Sequence, residues 1–512
     1  MRAVLCRLRQ QPSTLAHVKH LCPRSRRFSS ATEATATTDT QYSDVTIVGG
    51  GVVGCALARQ LNERLPALSV HLIEARDAPT AHPMPAREIP HPRSYALSPQ
   101  SLEFLGLLDN PEMAEQVKLG PYASMQIWEA HNPATMKFHT DDLPFDETKL
   151  HHPKLLGAVV EDIPLVRALW EPLELNPKNT LTTSSTLEKL QMPTANPDGL
   201  VTYKTSQNTC HQTRLLVAAD GAQSPIRKEL GVQQMQWEYG RHALTFTVEL
   251  EEEDSLPRTA YQKFVHGAGK GMGPLALLPT HSPRHAIVVW STTPELVEKW
   301  KMTDDNDALV EHLNSLLQQG PQRLPPLVER TSSGGSTPPL INNILFGVER
   351  VLDTVQDAGA MMSANSSRAW MAPPLISQLV SPKLSFPLAC RNVPHYHAAK
   401  RVVLIGDAAH TVHPMAGQGL NLGLASVQSL VQSLVKMEAV GMDVTTNNLE
   451  AEMRKRHAAN TSAILGIHTL HELFKADDVP IMHAKSFGMN VLQQVGPLRR
   501  KLVQAATQGV LF

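Results

Sequence analysis

The sequence predicts an α/β protein. A parallel-sheet domain, split into three sequence segments, is interleaved with a mostly antiparallel sheet and followed by a helical C-terminal region. Three observations predict this. Residues 44–48 read as a short buried strand that runs into Gly49-Gly50-Gly51-Val52-Val53-Gly54, a G-x-G-x-x-G turn. Residues 215–218 form an apolar strand ending in Ala219-Asp220-Gly221. Residues 401–405 form another, running into Gly406-Asp407 and a Gly-rich loop.

The first turn has the surroundings that a dinucleotide fingerprint needs. Apolar residues recur at helical spacing over 52–64, and a second apolar run, 70–73, ends on Glu74, 20 residues after Gly54. Gly49 permits the tight turn, Gly51 lets backbone approach a pyrophosphate, and Gly54 lets helix pack on strand. Glu74 is placed to accept hydrogen bonds from a ribose. A G-x-G-x-x-G alone would be only a Gly-rich turn; the strands and the terminal acid make it a fingerprint.

In the second motif Ser224 is placed to cap a short helix, with Pro225 at its first position. By itself this is an ordinary strand-to-helix connection. In the third, a helix is expected to begin near Leu420. Asp407 can hold a sugar hydroxyl, and free N–H groups around Gly419, Leu420 and Asn421 can face an anionic or electron-rich ring. Pro414 and Gly417 shape the loop. Together the three motifs point to FAD.

Their order is G-x-G-x-x-G, A-D-G-x-x-S-x-x-R, then G-D-A-A-H-x-x-x-P-x-x-G-Q-G. In this the chain resembles the flavin-dependent aromatic hydroxylases of the para-hydroxybenzoate hydroxylase fold. The resemblance implies that Asp220 and Gly221 lie near the FAD pyrophosphate and that Asp407 binds the ribityl chain. It also implies that Arg93, shortly after the second strand, lies near the flavin. Finer patches narrow the resemblance to the ubiquinone-biosynthesis hydroxylases, in particular their mitochondrial group, over roughly residues 43–510. These are Leu156-Gly157, Trp237-Glu238-Tyr239, 259–264, 273–279, Val289-Trp290-Ser291 and 413–421.

That group oxidises reduced flavin with O2 and places one oxygen atom on an electron-rich ring. The implied substrate is a polyprenylated 4-hydroxybenzoate-type phenolic lipid, hydroxylated at carbon 5. A ferredoxin-type electron donor, a biosynthetic complex and a peripheral contact with the matrix side of the mitochondrial inner membrane are also implied. Two alternatives stay open: a flavin hydroxylase of a soluble aromatic compound, and an FAD-bearing scaffold subunit. Three departures from the family stand out. Ala425-Ser426 replaces a Gly-Asp pair, Tyr239-Gly240-Arg241 replaces a Tyr-Gln pair, and Leu449-Glu450 replaces Tyr-Glu. No side chain stands out as a general base.

Composition agrees. A chain of 512 residues is long enough for two interleaved domains. A net charge of −1 gives no reason to expect a nucleic-acid partner. The cysteines, Cys6, Cys22, Cys55, Cys210 and Cys390, form neither a disulfide framework nor a zinc pattern, and the 23 histidines lack ligand spacing, so no metal is expected. Residues 1–32 contain no Asp or Glu but seven basic side chains, among them Arg24, Arg26 and Arg27. That is the composition of a mitochondrial transit peptide.

The expected organisation is therefore 1–42 transit peptide and disordered lead. FAD-binding segments follow at 43–130, 205–232 and 384–435. Substrate-domain segments span 131–204 and 233–383, with a flexible insertion at about 326–370. A helical region covers 436–512, in which Ile464, Ile467, Leu470 and Phe474 form a stripe expected to pack on the FAD domain.

Overall fold

The computed structural model describes residues 40–83, 88–130, 132–143, 154–193, 199–254, 258–265, 273–326, 350, 354, 369–443, 446–476 and 478–507. The basic N-terminal stretch and nearly all of the expected insertion lie outside the described residues.

The first sheet is built on adjacent parallel strands. β1 (Gln41–Val48) lies between β2 (Val70–Ile73) and β11 (Cys210–Ala218), and β11 is followed by β19 (Val402–Leu404). β8 (Asn179–Thr182) adds in parallel beyond β2. β18 (His397–Ala399), β10 (Val201–Thr205) and β9 (Leu187–Gln191) extend the sheet with antiparallel pairings. The four residues of β2 are all buried, as are the last four of β1, because helices cover both faces of such a sheet. α1 (Val52–Arg64) packs against α4 (Asp162–Glu174) and α8 (Gln418–Ala439). Their side chains, with Trp170 fully buried among them, form the largest apolar cluster.

The second sheet has nine strands, in the order β20 (His410–Thr411), β17 (Leu384–Asn392), β12 (Met235–Leu250), β15 (His285–Thr292), β14 (Pro274–Pro279), β13 (Thr259–Phe264), β5 (Ser124–Glu129), β6 (Thr135–His139). β16 (Ile376–Leu379) pairs with β12 off this path. Every pairing is antiparallel except β5 with β13. α6 (Pro294–Met302) and α7 (Asn306–Gln318) cover one face, burying Trp300, Leu309 and Leu313 against Trp290, Phe246 and Val288. Lys263 is fully buried on β13 and has no carboxylate partner among the described residues; its ammonium donates to the carbonyls of Leu316 and Gln319 at the end of α7. Burial lowers its pKa to about 8.

A small third sheet, β3 (Ser94–Leu97), β7 (Gly157–Glu161) and β4 (Gly120–Tyr122), joins the two layers. Short helices α2 (Pro99–Phe104), α3 (Pro111–Gln116) and α5 (Pro225–Glu229) lie at strand ends. The C-terminal region is helical: α9 (Thr446–Lys475), α10 (Val479–Gln494) and α11 (Gly496–Thr507).

The strand ladders redraw several expected segment limits. β1 begins at Gln41, inside the stretch assigned to the lead, because Gln41 and Tyr42 already pair with His211 and Gln212. β8, β9 and β10, placed by sequence in the substrate domain, hydrogen-bond into the parallel sheet. β5, β17 and β20, placed in the FAD domain, belong to the antiparallel sheet. Apolar alternation marks a strand; it does not say which sheet completes its hydrogen bonds. The α9 stripe also divides. Ile464 and Ile467 pack with Val412, Cys390 and Leu422, whereas Phe474 stacks on Phe264 of the antiparallel sheet at a centroid distance of 3.9 Å.

Candidate functional site

The three Gly-rich motifs emerge side by side at one edge of the parallel sheet. Gly49 N–H donates to Ile73 O at 2.8 Å, Ala219 N–H to Val48 O at 2.8 Å, and Ile405 N–H to Ala218 O at 3.0 Å. Each bond continues the ladder one step beyond the strands, so the loops are fixed to one another. This is the carboxyl edge of parallel strands, where open α/β sheets bind ligands.

In the first loop Gly49 has φ +108°, and a Cβ there would collide with the Ala219 carbonyl. A Cβ on Gly54 would collide with the Gly49 carbonyl oxygen, so only glycine lets α1 start this close to β1. Gly51 is different: a Cβ there would meet nothing within 4 Å. Gly51 caps α1 without a side-chain hydrogen bond, and no acid stands in the first turn. The N–H groups at this helix start thus have no capping side chain. Glu74 is buried at the end of β2; one oxygen accepts from Gly50 N–H at 2.6 Å, the other from Arg76 N–H and Nε at 3.0 and 2.8 Å. The oxygen facing Gly50, with a single donor, retains capacity for another.

The second loop carries Gly221 at φ +84°, again with open space where a Cβ would be. Asp220 accepts from Ile226 N–H at 3.3 Å through Oδ2, while Oδ1 is buried with no partner among the described residues. Burial raises its pKa. Ser224 caps α5 as expected, accepting from Arg227 N–H at 3.0 Å. Arg227 is the residue that sequence reasoning quoted within its motif but did not nominate. Almost wholly buried, it donates to Ala408 O and Ala222 O, both at 2.7 Å. It bolts the second loop to the third. A recess of about 470 Å³ opens beside it, lined among others by Lys228, Gln236 and Arg391.

The third loop passes through a short 3-10 turn at Gly406–Ala408. Gly406 (φ +58°) and Gly423 both close over Val53 of α1, which ties the first motif to the third. Asp407 is exposed while its neighbours Gly406 and Ala408 are buried. Desolvation nevertheless raises its pKa to about 6, with Arg391 pulling the other way. Those two facts fit a carboxylate on the floor of a deep cleft, reached by solvent but surrounded by protein.

Pro414 opens a second 3-10 turn, ended by Gly417 in the left-handed region at φ +61°. α8 then starts at Gln418, two residues earlier than the sequence suggested, with Gly417 as an uncapped N-cap and no acid in its first turn. The unpaired N–H groups are therefore those of Gln418, Gly419 and Leu420. The expectation for Asn421 needs correction: its N–H falls in the helical ladder. Its buried side chain accepts from Ser98 N–H at 2.9 Å and donates to Ala96 O and Gly417 O at 3.0 and 2.9 Å. Asn421 is a clamp between the loop and β3. Arg93, just before β3, pairs with Asp162 at 3.0 Å, and Asp162 also accepts from Tyr95 OH at 2.7 Å.

Behind the loop lies a neutral polar hub that sequence reasoning missed. Asn460 on α9 donates to Tyr396 OH at 2.8 Å and to Ser426 Oγ at 3.1 Å, and lies 3.0 Å from His410 Nε2. Ser426 is fully buried and donates to Leu422 O at 2.9 Å. Burial lowers the His410 pKa to about 3. At the departure from Gly-Asp, Ser426 thus joins a carboxamide-centred network, and the Arg456 guanidinium nearby also lowers the His410 pKa. The Tyr239-Gly240-Arg241 departure is a β-bulge, with Gly240 at φ +62° and a register shift between Glu238 and Arg241. It brings the Tyr239 ring to 4.8 Å from His413 and 4.6 Å from His471. His413 receives Met415 N–H at 3.0 Å and so fixes the turn.

These features fit FAD. Two bare helix starts suit a pyrophosphate and an electron-rich ring, an orphaned Asp220 oxygen and a cleft-floor Asp407 suit hydroxyl donors, and Gly51 and Gly221 leave room for close approach.

Comparison with known proteins agrees. The family described as FAD binding domain matches residues 42–331 and 363–460. Curated relatives named ubiquinone biosynthesis monooxygenase COQ6, mitochondrial, match along most of their length. The Drosophila melanogaster protein is 27% identical over 93% of this chain and 91% of its own. The Xenopus tropicalis protein is 29% identical over 93% and 95%. Among solved structures, p-nitrophenol 4-monooxygenase PnpA from Pseudomonas putida superposes with a TM-score of 0.60 at 15% identity, covering 92% of this chain and 100% of that one. The probable FAD-dependent monooxygenase PqsL from Pseudomonas aeruginosa gives 0.59 at 16%, covering 88% and 100%.

Proposed function

The chain belongs to the FAD binding domain family, and from that premise we propose that it hydroxylates carbon 5 of a polyprenylated 4-hydroxybenzoate-type ring in ubiquinone synthesis. That it is an FAD-dependent monooxygenase follows from the family and from its end-to-end likeness to enzymes of that class. The observation that supports the substrate is this near-complete coverage by the ubiquinone-biosynthesis enzymes. A mitochondrial, matrix-side location and a ferredoxin-type electron donor belong to the same proposal, as does membership of a biosynthetic complex.

The division of labour proceeds from the residues. Bound FAD supplies oxygen activation and transfer. Gly49, Gly51 and Gly54, with Glu74, hold the adenosine pyrophosphate half. Asp220 and Gly221 flank it, and Asp407 accepts from a ribityl hydroxyl. The N–H groups of Gln418, Gly419 and Leu420 offer fixed dipoles to negative charge at the start of α8. Arg227 and Asn421 lock the loops that carry these groups, and Arg93 is steadied by Asp162. Met415 belongs to two apolar clusters, those of Phe264 with Phe474 and of Val412 with Ile464. They keep water from that side of the loop.

Mass spectrometry of quinone intermediates in cells lacking the protein tests the reading. A prenylated ring lacking its carbon-5 hydroxyl should accumulate while ubiquinone falls. Unchanged ubiquinone would sink the substrate assignment and leave a hydroxylase of a soluble phenol. Full flux restored by an Asp407→Ala protein without bound FAD would leave only the scaffold role.

A further inference from the structure

The last two helices carry apolar side chains on their outer face as well as on their inner one. The buried positions of α10 include His483, Lys485, Ser486 and Gln493. Its outward positions include Pro480, Ala484, Phe487 and Gln494, with Val491 half-buried. Met482 and Met489 are buried with them, so the inner face is mixed, while Phe487 leaves a large apolar side chain on the outer face. Two ion pairs impose this. Lys485 Nζ, fully buried, meets Glu129 on β5 and also donates to Ala476 O at 2.9 Å. Arg499 Nε, at the start of α11, meets buried Asp142 at 2.9 Å. Breaking a buried pair is costly, so each pair fixes the rotation of its helix. The apolar stripe is then held outward and continues through Val495 and Leu498, each 43% exposed; Phe487 is 45% exposed. An outward apolar stripe on an otherwise packed helix marks a surface that something covers.

Charge selects what covers it. Residues 479–512 contain no Asp or Glu. Arg500 and Lys501 follow the stripe directly, and both are exposed. Apolar anchors beside cations are the pattern of a helix lying in an anionic membrane interface. The inner side of the same helix matters as well. Met489 and Leu492 pack in the cluster that holds Phe264, Phe474, Leu156 and Met415, the last within the turn that precedes α8. One helix thereby has the exposed stripe on one side and, on the other, the apolar cluster that takes in Met415 of the Pro414–Ala416 turn.

We infer that the outer face of α10 and the start of α11 form the surface by which the protein docks on a bilayer bearing anionic headgroups. Its use as the entry side for a lipid ring rests on the substrate reading above; the docking itself does not. No helix among the described residues is long and apolar enough to span a membrane, so the contact is peripheral.

The test is co-sedimentation of the full-length FAD-loaded protein with two kinds of vesicle, phosphatidylcholine alone and phosphatidylcholine with phosphatidylglycerol. The wild type should pellet with the anionic vesicles, less so as salt rises. Phe487→Asp should weaken binding at least about tenfold, and Arg500→Glu with Lys501→Glu by about fivefold for each cation removed. Bound flavin, read from its absorbance, should be unchanged in all of them. Should Phe487→Asp fail to fold, Leu498→Ser on the exposed stripe gives the same sign at smaller size. Wild type left in the supernatant with anionic vesicles overturns the inference, as does a folded Phe487→Asp protein that binds like wild type. So does a concentration-dependent dimer abolished by Phe487→Asp, which would make a second copy the occupant. No substrate enters this experiment, so its failure leaves the reaction assignment standing.

Discussion

Two helix starts on the parallel sheet and two on the antiparallel sheet are built by opposite rules. On the antiparallel sheet, α6 and α7 begin with Thr293 and Asp305, whose side chains accept from Leu296 N–H at 3.4 Å and Ala308 N–H at 2.9 Å. Their end groups are satisfied by the chain itself. On the parallel sheet, α1 and α8 begin with Gly51 and Gly417, no side chain caps either, and neither has an acid in its first turn. A start on glycine forgoes a few tenths of a kcal/mol that a Ser, Thr or Asp would contribute. Two bare starts beside the same three loops identify donors reserved for a ligand. The lesson is local: where a fold leaves cheap stability unused, the unused group is a candidate for function.

The largest way to break this contrast is to disturb the packing that sets up the first bare start. Gly54→Ala pushes a methyl into the Gly49 carbonyl, a backbone atom that cannot swing away. We expect a loss of about 3 kcal/mol or more in denaturant unfolding, together with loss of yellow colour. An Ala variant within 1 kcal/mol of wild type would mean that the loop has slack that this geometry denies.

Gly51→Asp sharpens the contrast instead. The Cβ has room, and an Asp at this position turns a bare start into a capped one. The FAD-free protein should gain about 0.5 kcal/mol. FAD affinity should fall at least about tenfold, because roughly 1.4 kcal/mol of repulsion with a pyrophosphate suffices. Opposite signs for stability and cofactor titration are the signature. Parallel losses in both would reduce Gly51 to a packing residue.

How much of this was legible beforehand follows the same division. The fingerprint, its helix and Glu74 were readable because each glycine and acid has a fixed place relative to a strand end. The Ser224 cap was readable for the same reason. The Asn460–Ser426–His410 hub was not, since its members lie on separate elements and carry no spacing signal. Nor was the Asp142–Arg499 pair, 357 residues apart in sequence. Asn421 was misread through a two-residue error in the α8 start, which moved it from ligand donor to clamp. Sheet membership failed most, because β5 and β17 look alike in sequence whichever ladder receives them.

The converse substitution is smaller. Thr293→Ala bares the start of α6, and with no ligand waiting there the cost should be about 1 kcal/mol of stability. FAD titration should not move. A shift in cofactor affinity would show that the two layers communicate more than their separate clusters indicate.

The smallest expected effect is a pH slope. Asp407 ionises near 3.8 in the unfolded chain and near 6 in the folded, FAD-free protein. The unfolded chain therefore gives up this proton first as pH rises. The contribution to stability is complete below the unfolded value and is lost as pH climbs through about 6. Solvent reaches the carboxylate, so the slope should be shallow. Asp407→Asn should remove it, which equilibrium unfolding of FAD-stripped protein across this window would detect. The cofactor reverses the sign: a ribityl hydroxyl donating to Asp407 favours the carboxylate, so FAD should bind more tightly as pH rises through the same window. An FAD affinity that is flat with pH in wild type, or equally steep in Asp407→Asn, would remove Asp407 from the site even if every glycine prediction held.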